Sequence, residues 1–379
     1  MTEDILKIED LRLNFYTYEG VVQALDGVDL SLRKGETLGV VGETGCGKSV
    51  TGLSVLVLVP PPGRIEGGKV IFNEKGKPFD MLHEKEGALR RIRGQNISMV
   101  FQDPRSALNP VYTAGNQINE VLLHHRAREL VTRTIEQLDK EIQGGKGGFL
   151  KKLHRNTLQA LLKRPNSLRI QIMRRIPILN RYKHAVRKEA TKEAIQMLKL
   201  MRIPDPERVV EMYPHELSGG MAQRVVIAMG LACNPSVLIA DEPTTNLDVT
   251  VQLQILQLIK ELKNELSSSV LYITHDMGVV AEMCDRVAVM YAGIVAELAD
   301  VMEIFKYPLH PYTRALLQSI PSPEKPFKSI EGTVPSLINP PKGCRFHDRC
   351  PNAMEICRKE KPKMVETRKD HFVSCYLYQ

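Results

Sequence analysis

The 379-residue sequence contains no tryptophan and no apolar run approaching the ~20 residues that span a bilayer. Its strongest apolar run, Leu53–Val59, is short and ends at three consecutive prolines. The amino terminus lacks the basic start and the long apolar stretch of a signal peptide. We therefore expect the chain to stay in the cytoplasm, where any membrane contact comes through partners or through its surface.

The net charge of +8 is unevenly distributed. Residues 126–190 contain 17 lysines and arginines against 5 aspartates and glutamates, a net +12, which leaves −4 for the rest of the chain. A basic chain can indicate nucleic-acid binding. Because the excess lies in one segment, it does not describe the main domain, and we expect no nucleic-acid partner.

Short β-branched runs alternate with helical patterns, which predicts an α/β domain with a largely parallel central sheet. The segment Ile5–Leu32 is typical of antiparallel β structure. The region from 120 to 208 has helical patterns and a glycine-rich break at 144–148. The runs that predict buried strands are Leu38–Val41, Ile97–Phe101, Val237–Ala240, Val270–Thr274 and Val287–Met290.

A glycine-rich segment directly follows the first of these strands and precedes a helical pattern, which is the context of a phosphate-binding loop. The glycines let backbone N–H groups close around phosphate oxygens, and the helix amino terminus favours negative charge. Lys48 would reach the β- and γ-phosphates of ATP, and Ser49 would ligate Mg²⁺. The candidate nucleotide-binding residues are Gly42, Glu43, Thr44, Gly45, Cys46, Gly47, Lys48, Ser49 and Val50.

Two acids, Asp241 and Glu242, follow the apolar strand Val237–Ala240. Burying unpaired carboxylates is costly, so a bound cation explains them better than a bare strand end. Asp241 would hold Mg²⁺, directly or through water. Glu242 is the candidate catalytic carboxylate that polarises the attacking water.

Four further motifs separate this chain from other phosphate-loop proteins. Ser218, Gly219 and Gly220 lie in Leu217-Ser218-Gly219-Gly220-Met221, which resembles the signature sequence of the ABC family. The segments around Gln102, Asp248 and His275 resemble the Q-loop, the D-loop (Asn246-Leu247-Asp248) and the switch histidine, in family order. The resemblance covers about residues 4–300 apart from an insertion.

That resemblance implies a P-loop ABC-type nucleotide-binding domain with an antiparallel β subdomain and a helical subdomain. Two such domains pair, and the ATP of one faces Ser218–Gly220 of the other. Gln102 and His275 join Glu242 as catalytic residues, and Gln102 also contacts Mg²⁺. An aromatic residue stacks on adenine: Phe15 is the first choice by position, with Tyr16 and Tyr18 as rivals.

The segments His310–Leu317 and Phe101–Pro104 resemble those of dipeptide and oligopeptide permease ATPases. Gly47–Thr51 and Ile65–Gly68 resemble the "D" member of their paralogous pair. This implies a heterodimer with the paralogous ATPase at the cytoplasmic face of the membrane. It also implies two transmembrane permease subunits and, indirectly, an extracytoplasmic solute-binding protein. Relatives import peptides, nickel or oligosaccharides. The chain would then divide into an ATPase domain at 1–300, with a helical subdomain at about 103–230, and an extension at 301–379.

Prolines become frequent from Tyr307 onward, which predicts a small appendage with little regular structure. Four thiolates within 32 residues suit Zn²⁺ or an iron–sulfur cluster, and free thiols are the third alternative. The spacing lacks the CxxC pairs of zinc ribbons. Some members of the resembled subfamily carry a [4Fe-4S] cluster at similar cysteines, which favours the cluster. The cysteines are Cys344, Cys350, Cys357 and Cys375.

The insertion at about 126–188 departs from the subfamily pattern. Its basic pairs are interleaved with apolar residues, as in surfaces that meet anionic lipid, and a solvated excursion is the alternative. A soluble ABC ATPase acting on nucleic acid or ribosomes is the main rival function. It usually has a coiled coil or two cassettes in one chain. An exporter, or a metal sensor with a vestigial ATPase, fits the complete motif set and the permease-like tail less well.

Overall fold

The computed structural model describes residues 3–74, 76–146, 148–163, 182–245, 247–320 and 330–379. The chain forms two compact units. The first unit combines Met1–Gln102 with Ser236–Gln379, and the second unit is Asp103–Pro235. Among the described residues, no helix is both long and apolar enough to cross a bilayer.

Among the described residues of the first unit, the strands fall into two sheets. One is antiparallel with the order β2-β1-β4-β5, and the other has the order β11-β12-β10-β9-β3-β8-β7-β6. The bounds are β1 Asp4–Thr17, β2 Gly20–Arg33, β3 Thr37–Val41, β4 Gly63–Glu74, β5 Lys77–Asp80, β6 Ile97–Val100, β7 Val237–Asp241, β8 Ser269–Thr274, β9 Arg286–Tyr291, β10 Ile294–Asp300, β11 Val365–Arg368 and β12 His371–Val373.

The strands β9, β3, β8, β7 and β6 are parallel, as the sequence predicts. Every residue of β3, β7, β8 and β9 is buried. Parallel strands covered on both faces need continuous apolar runs rather than alternation, which explains why these segments stand out in the sequence. The antiparallel segment predicted at Ile5–Leu32 is also confirmed, as β1 and β2 of the smaller sheet.

Helices cover the sheet connections of the first unit. The longest, Val249–Leu266, begins where the Asp248 carboxylate accepts a hydrogen bond from the Val251 N–H at 2.9 Å, and it buries one face that includes Ile255 and Ile259. The helical segments are Lys48–Val55, Met81–His83, Glu86–Ile92, Val249–Leu266, Met277–Met283, Val301–Lys306, Pro311–Gln318, His347–Arg349, Glu355–Lys359 and Tyr376–Tyr378.

The second unit is helical in its described part. The helix Ala127–Glu141 packs against Phe149–Lys163 and Tyr182–Leu200, and a π-helical turn at Ile142–Lys146 occupies the predicted glycine-rich break. Residues 164–181 of the basic insertion lie outside the described residues, so its lipid contact stays a prediction. The segments are Pro104–Ala107, Ala114–His125, Ala127–Glu141, Ile142–Lys146, Phe149–Lys163, Tyr182–Leu200, Pro206–Val209, Pro214–Glu216 and Gly219–Leu231.

The carboxy-terminal tail is more regular than its prolines suggest. Its hairpin of β11 and β12 adds antiparallel strands to the edge of the large sheet beside β10. The prolines lie outside these strands and at the start of Pro311–Gln318, where a missing N–H removes no helical bond. The tail thus continues the sheet of the first unit.

One buried carboxylate holds this tail in place. Glu297 on β10 is fully buried and accepts hydrogen bonds from the N–H groups of Leu309 and His310, each at 2.8 Å. The His371 Nε2 on β12 lies 2.8 Å from its Oε1. A buried carboxylate is tolerated only when such partners replace its water, so these three contacts are mutually dependent.

Replacing this carboxylate by an amide should loosen the tail. Glu297→Gln places an NH₂ group among donors and loses charge-assisted bonds, so we expect a loss of roughly 2–4 kcal/mol in the free energy of unfolding. The thermal midpoint and the hydrogen-exchange protection of residues 301–379 measure it. Glu355→Gln is the matched control, because that side chain is 82% exposed in its pair with Lys359. Equal losses in both variants contradict the anchoring role.

Candidate nucleotide-binding and hydrolysis site

The site residues lie where the parallel strands end. Because β3, β8, β7 and β6 run in the same direction, their carboxyl ends meet at one edge of the sheet. Residues 42–49 follow β3, Asp241 ends β7 and Glu242 follows it, His275 follows β8, and Gln102 follows β6 closely. The topology therefore brings together four segments that are far apart in the sequence.

The loop between β3 and the helix Lys48–Val55 depends on its glycines. Gly45 and Gly47 have φ of 81° and 100°, which favours glycine. A Cβ on Gly42 would lie 2.1 Å from the Met290 carbonyl oxygen, so no larger residue fits there. The loop is thus packed directly on β9, and the predicted strand–loop–helix order is confirmed.

The charged end of Lys48 lies over this loop. Its side chain donates to the carbonyl oxygens of Gly42 at 2.8 Å and Glu43 at 3.1 Å. Next to it, the Ser49 hydroxyl donates to Asp241 Oδ1 at 3.0 Å. A hydroxyl and a carboxylate side by side supply the oxygen ligands that Mg²⁺ prefers, so these two residues fit the predicted Mg²⁺ site.

The Asp241 carboxyl is 5% exposed. Burial raises its pKa to about 6, and the negative charge of Glu242 adds to the rise. The hydrogen bond from Ser49 and the charge of Lys48 oppose it. A cation at this position would remove the unfavourable burial of the negative charge, which is why a carboxylate at this strand end suits metal binding.

Glu242 occupies a backbone conformation that is uncommon for a non-glycine residue, with φ of 45°. Its Oε2 accepts hydrogen bonds from Gln102 Nε2 at 3.0 Å and from the Thr245 hydroxyl at 3.1 Å. His275 Nδ1 lies 3.1 Å from its Oε1. The structure thus brings the three predicted catalytic residues together and adds Thr245, which sequence reasoning missed.

The signature segment lies in the second unit. Ser218 accepts a hydrogen bond from the Met221 N–H at 3.3 Å and caps the helix Gly219–Leu231, so Gly219 and Gly220 form the first turn. Asp248 caps the helix Val249–Leu266 in the first unit, while Asn246 lies outside the described residues. Their contacts with ATP stay predictions.

The three aromatic candidates for adenine stacking differ in exposure. Phe15 is half-buried and packs against the apolar core. Tyr16 donates from its hydroxyl to Glu66 at 2.8 Å, and Tyr18 is 98% exposed. The choice of Phe15 stays a prediction.

The tail reaches the phosphate-binding loop, which sequence reasoning missed entirely. The Arg349 guanidinium donates two hydrogen bonds to the Glu43 carboxylate, at 2.7 and 3.0 Å. The Tyr312 hydroxyl accepts a hydrogen bond from the Glu43 N–H at 3.0 Å. The sequence contains one indication of this contact, Glu43 itself. A carboxylate in a loop that binds phosphate repels the phosphate unless a cation pairs with it.

The four cysteines of the predicted tail metal centre are not arranged as a metal site. Across the described ranges, no group of three or more histidine, cysteine, aspartate or glutamate side chains is arranged to hold a metal ion. Burial raises the pKa of the Cys344 thiol to about 11, and neighbouring thiols contribute, which opposes the thiolate form that metals require. The four cysteines nevertheless line one small cavity together with His310 and Phe346.

Comparison with known families agrees with this geometry. Residues 25–245 match the model described as "ABC transporter", which is more than half of the chain. This chain belongs to the ABC transporter family. Residues 296–357 match a second model, "Oligopeptide/dipeptide transporter, C-terminal region".

Two curated relatives align over nearly the whole ABC chain. One is a probable peptide ABC transporter ATP-binding protein of Sinorhizobium fredii, 43% identical over 98% of this chain and 94% of the relative. Another is the dipeptide transport ATP-binding protein DppD of Bacillus subtilis, 42% identical over 99% and 95%. The solved dimeric ATP-binding cassette MJ0796, bound to ADP and Pi, shares the fold with a TM-score of 0.55 and 24% identity, covering 78% of this chain and 98% of that one.

As an ABC cassette with its nucleotide motifs, the chain is an ATPase that uses ATP and Mg²⁺. Within the site, Lys48 and the loop amides would hold the phosphates, while Ser49 and Asp241 would hold Mg²⁺, which supplies charge neutralisation at the phosphates. Glu242 would accept a proton from the attacking water. Gln102 and His275 orient that carboxylate through the contacts described above.

The raised pKa of Asp241 predicts a stability effect. The pKa of about 6 in the folded state exceeds the ordinary 3.8, so the ionised carboxylate opposes folding above pH 6 by up to roughly 3 kcal/mol, and this effect is absent below pH 3.8. Asp241→Asn should therefore raise the thermal midpoint of nucleotide-free protein at pH 8, with a smaller gain at pH 5.

A matched control is Asp248→Asn, because asparagine caps a helix about as well as aspartate and should leave the midpoint unchanged. A gain for Asp241→Asn that is the same at both pH values would contradict the titration argument, as would no gain at pH 8.

Proposed function

We propose that this chain powers the import of dipeptides or oligopeptides from the cytoplasmic face of a cell membrane. The observation that carries the proposal is the tail matched at residues 296–357 to the oligopeptide/dipeptide transporter region. In the structure, the matched region contacts the phosphate-binding loop through Tyr312 and Arg349, and the hairpin of β11 and β12 that follows it extends the sheet of the ATPase unit. The curated relatives named for peptide and dipeptide transport support the same substrate class.

The same proposal supplies the partners. The chain would pair with a paralogous ATPase subunit, contact two transmembrane permease subunits, and receive substrate through an extracytoplasmic solute-binding protein. The cap at Ser218 supports an ATP-bridged pair, because its helix amino terminus presents backbone N–H groups suited to a phosphate. A soluble ABC ATPase acting on nucleic acid or ribosomes does not explain the transporter-type tail.

Reconstitution tests the substrate class. With the partner ATPase and both permeases in proteoliposomes, a peptide-loaded binding protein should stimulate ATP hydrolysis and peptide uptake together. Glu242→Gln should reduce turnover by about 10²-fold or more while ATP binding persists, because the water loses its proton acceptor. Stimulation by an oligosaccharide or nickel ligand instead of peptide would overturn the substrate assignment.

The matched control for that variant is Glu265→Gln, an equivalent change at an exposed position of the helix Val249–Leu266. It should leave turnover and uptake at the level of the unmodified transporter. A comparable loss in both variants would remove the specific role of Glu242.

The cavity lined by Cys344, Cys350, Cys357 and Cys375 supports a second proposal, a [4Fe-4S] cluster, with Zn²⁺ as the alternative. Four cysteines facing one space supply the donor chemistry that such clusters use. The cluster would supply cross-linking of a small tail that has little core of its own. The side chains would need to spread and ionise to hold it, because burial raises the pKa of the Cys344, Cys350 and Cys375 thiols.

Metal analysis of anaerobically purified full-length chain decides between these possibilities. A cluster predicts about four irons per chain, broad absorption near roughly 400 nm, and loss of both in Cys350→Ser. Cys233→Ser is the control, since that thiol lies outside the cavity. One zinc per chain without iron favours the zinc site. If neither metal is present, the four cysteines are free thiols.

A further inference from the structure

Every polar group of Glu43 in the phosphate-binding loop forms a hydrogen bond or ion pair. Its carbonyl oxygen accepts from Lys48 Nζ at 3.1 Å and from the Cys46 N–H at 3.3 Å. Its N–H donates to the Tyr312 hydroxyl at 3.0 Å. Its carboxylate pairs with Arg349. Two of these contacts lie inside the loop, and two come from the tail.

The tail side of this connection is rigid. The Arg349 side chain is only 4% exposed and also donates to the carbonyl oxygen of Glu331 at 2.9 Å and to the Tyr291 hydroxyl at 3.2 Å. Its guanidinium lies near the rings of Tyr291 and Phe346, with 5.7 and 5.9 Å to the centroids. A planar guanidinium held on several sides fixes a carboxylate in both position and orientation.

The aromatic residues behind Arg349 complete the support. Tyr291 on β9, Tyr312 and Phe346 are at most 2% exposed, and their ring centroids lie 4.6 to 5.4 Å apart. Tyr291 belongs to the central sheet, whereas Tyr312 and Phe346 belong to the tail. The tail thus presents Arg349 and the Tyr312 hydroxyl to the loop from one packed cluster.

We propose that Arg349 is a positioning residue of the nucleotide site, which sets the conformation of the phosphate-binding loop, and with it ATP affinity, by holding Glu43. The carbonyl group of Glu43 carries the bond from Lys48, so a displacement of Glu43 displaces the ammonium that reaches the phosphates. Tyr312 restrains the same residue from its backbone N–H. This role goes beyond hydrolysis itself, because neither Arg349 nor Tyr312 touches the reacting atoms.

A simpler electrostatic account makes the opposite prediction for one variant. If the two charges acted only through their fields on the phosphates, removing the cation of Arg349 would weaken ATP binding. Removing the anion of Glu43 would strengthen it. If the pair acts by positioning the loop, both removals weaken binding. The sign of the effect of Glu43→Gln therefore separates the two accounts.

The experiment measures the Kd of MgATP for the full-length chain by equilibrium binding, beside the thermal midpoint of each variant. Arg349→Gln and Glu43→Gln should each weaken binding by about 10-fold, since each breaks the same charge-assisted pair. The double variant should be no weaker than the singles, because the pair acts as one unit. The Kd of Arg349→Lys should lie between those of the unmodified chain and Arg349→Gln, since lysine keeps the charge but cannot form the bidentate pair.

The matched control is Asp26→Asn. Asp26 is another carboxylate of the first unit that pairs with tail cations, Arg345 at 3.1 Å and Lys361 at 3.0 Å, but it lies outside the phosphate-binding loop. Its Kd for MgATP should stay within about two-fold of the unmodified chain, since it shares no partner with Glu43. An equal weakening would assign the effect to general loosening of the tail and overturn the proposal.

Three other results overturn it: an unchanged Kd in folded Glu43→Gln, tighter binding in that variant, or a double variant whose loss is the product of the single losses. Should Arg349→Gln fail to fold, Glu43→Gln and Arg349→Lys carry the same test with the tail in place. In the assembled transporter, the ATP hydrolysis rate should fall more at subsaturating than at saturating ATP, because the variants change ATP affinity and not the hydrolysis step.

Discussion

The buried Glu297 carboxylate is the constraint on which the tail depends. It is fully buried, so its charge must be matched by the donors of Leu309, His310 and His371. Those donors lie at the start of the tail and in its final hairpin. One group therefore fixes both ends of the tail, and the strands β11 and β12 complete the sheet edge.

A tail fixed in this way can present Arg349 at a defined place. The pair with Glu43 joins residues 306 positions apart, and the guanidinium is held by the carbonyl oxygen of Glu331 and by Tyr291 as well. Because Cys350 follows Arg349 directly, the cavity lined by four cysteines and the phosphate-binding loop share one short stretch of chain. The transporter-specific tail and the general ATPase machinery are thus parts of one packed unit.

The sequence was sufficient for features encoded by contiguous residues. The phosphate-binding loop, the acids after β7 and the cap at Ser218 each combine a strand or helix signal with the reactive residue itself. The sequence was insufficient where partners are distant: neither Glu297 with His371 nor Glu43 with Arg349 leaves a local pattern. Likewise, the cysteine spacing indicated thiol ligands for a metal but not the distances between their sulfur atoms. Described residues show no arrangement that holds a metal ion, although the four thiols share a cavity.

The surroundings of Glu242 show how the fold orients the carboxylate that is predicted to be catalytic. A carboxylate offers about four acceptor positions, and Gln102, Thr245 and His275 account for three. The remaining position is available for the proton of an attacking water. The three partners also orient the side chain, while the left-handed backbone at Glu242 turns it away from the course of β7. Because Gln102 and His275 follow different strands, both contact the Glu242 carboxylate only when the ends of β6, β7 and β8 are aligned.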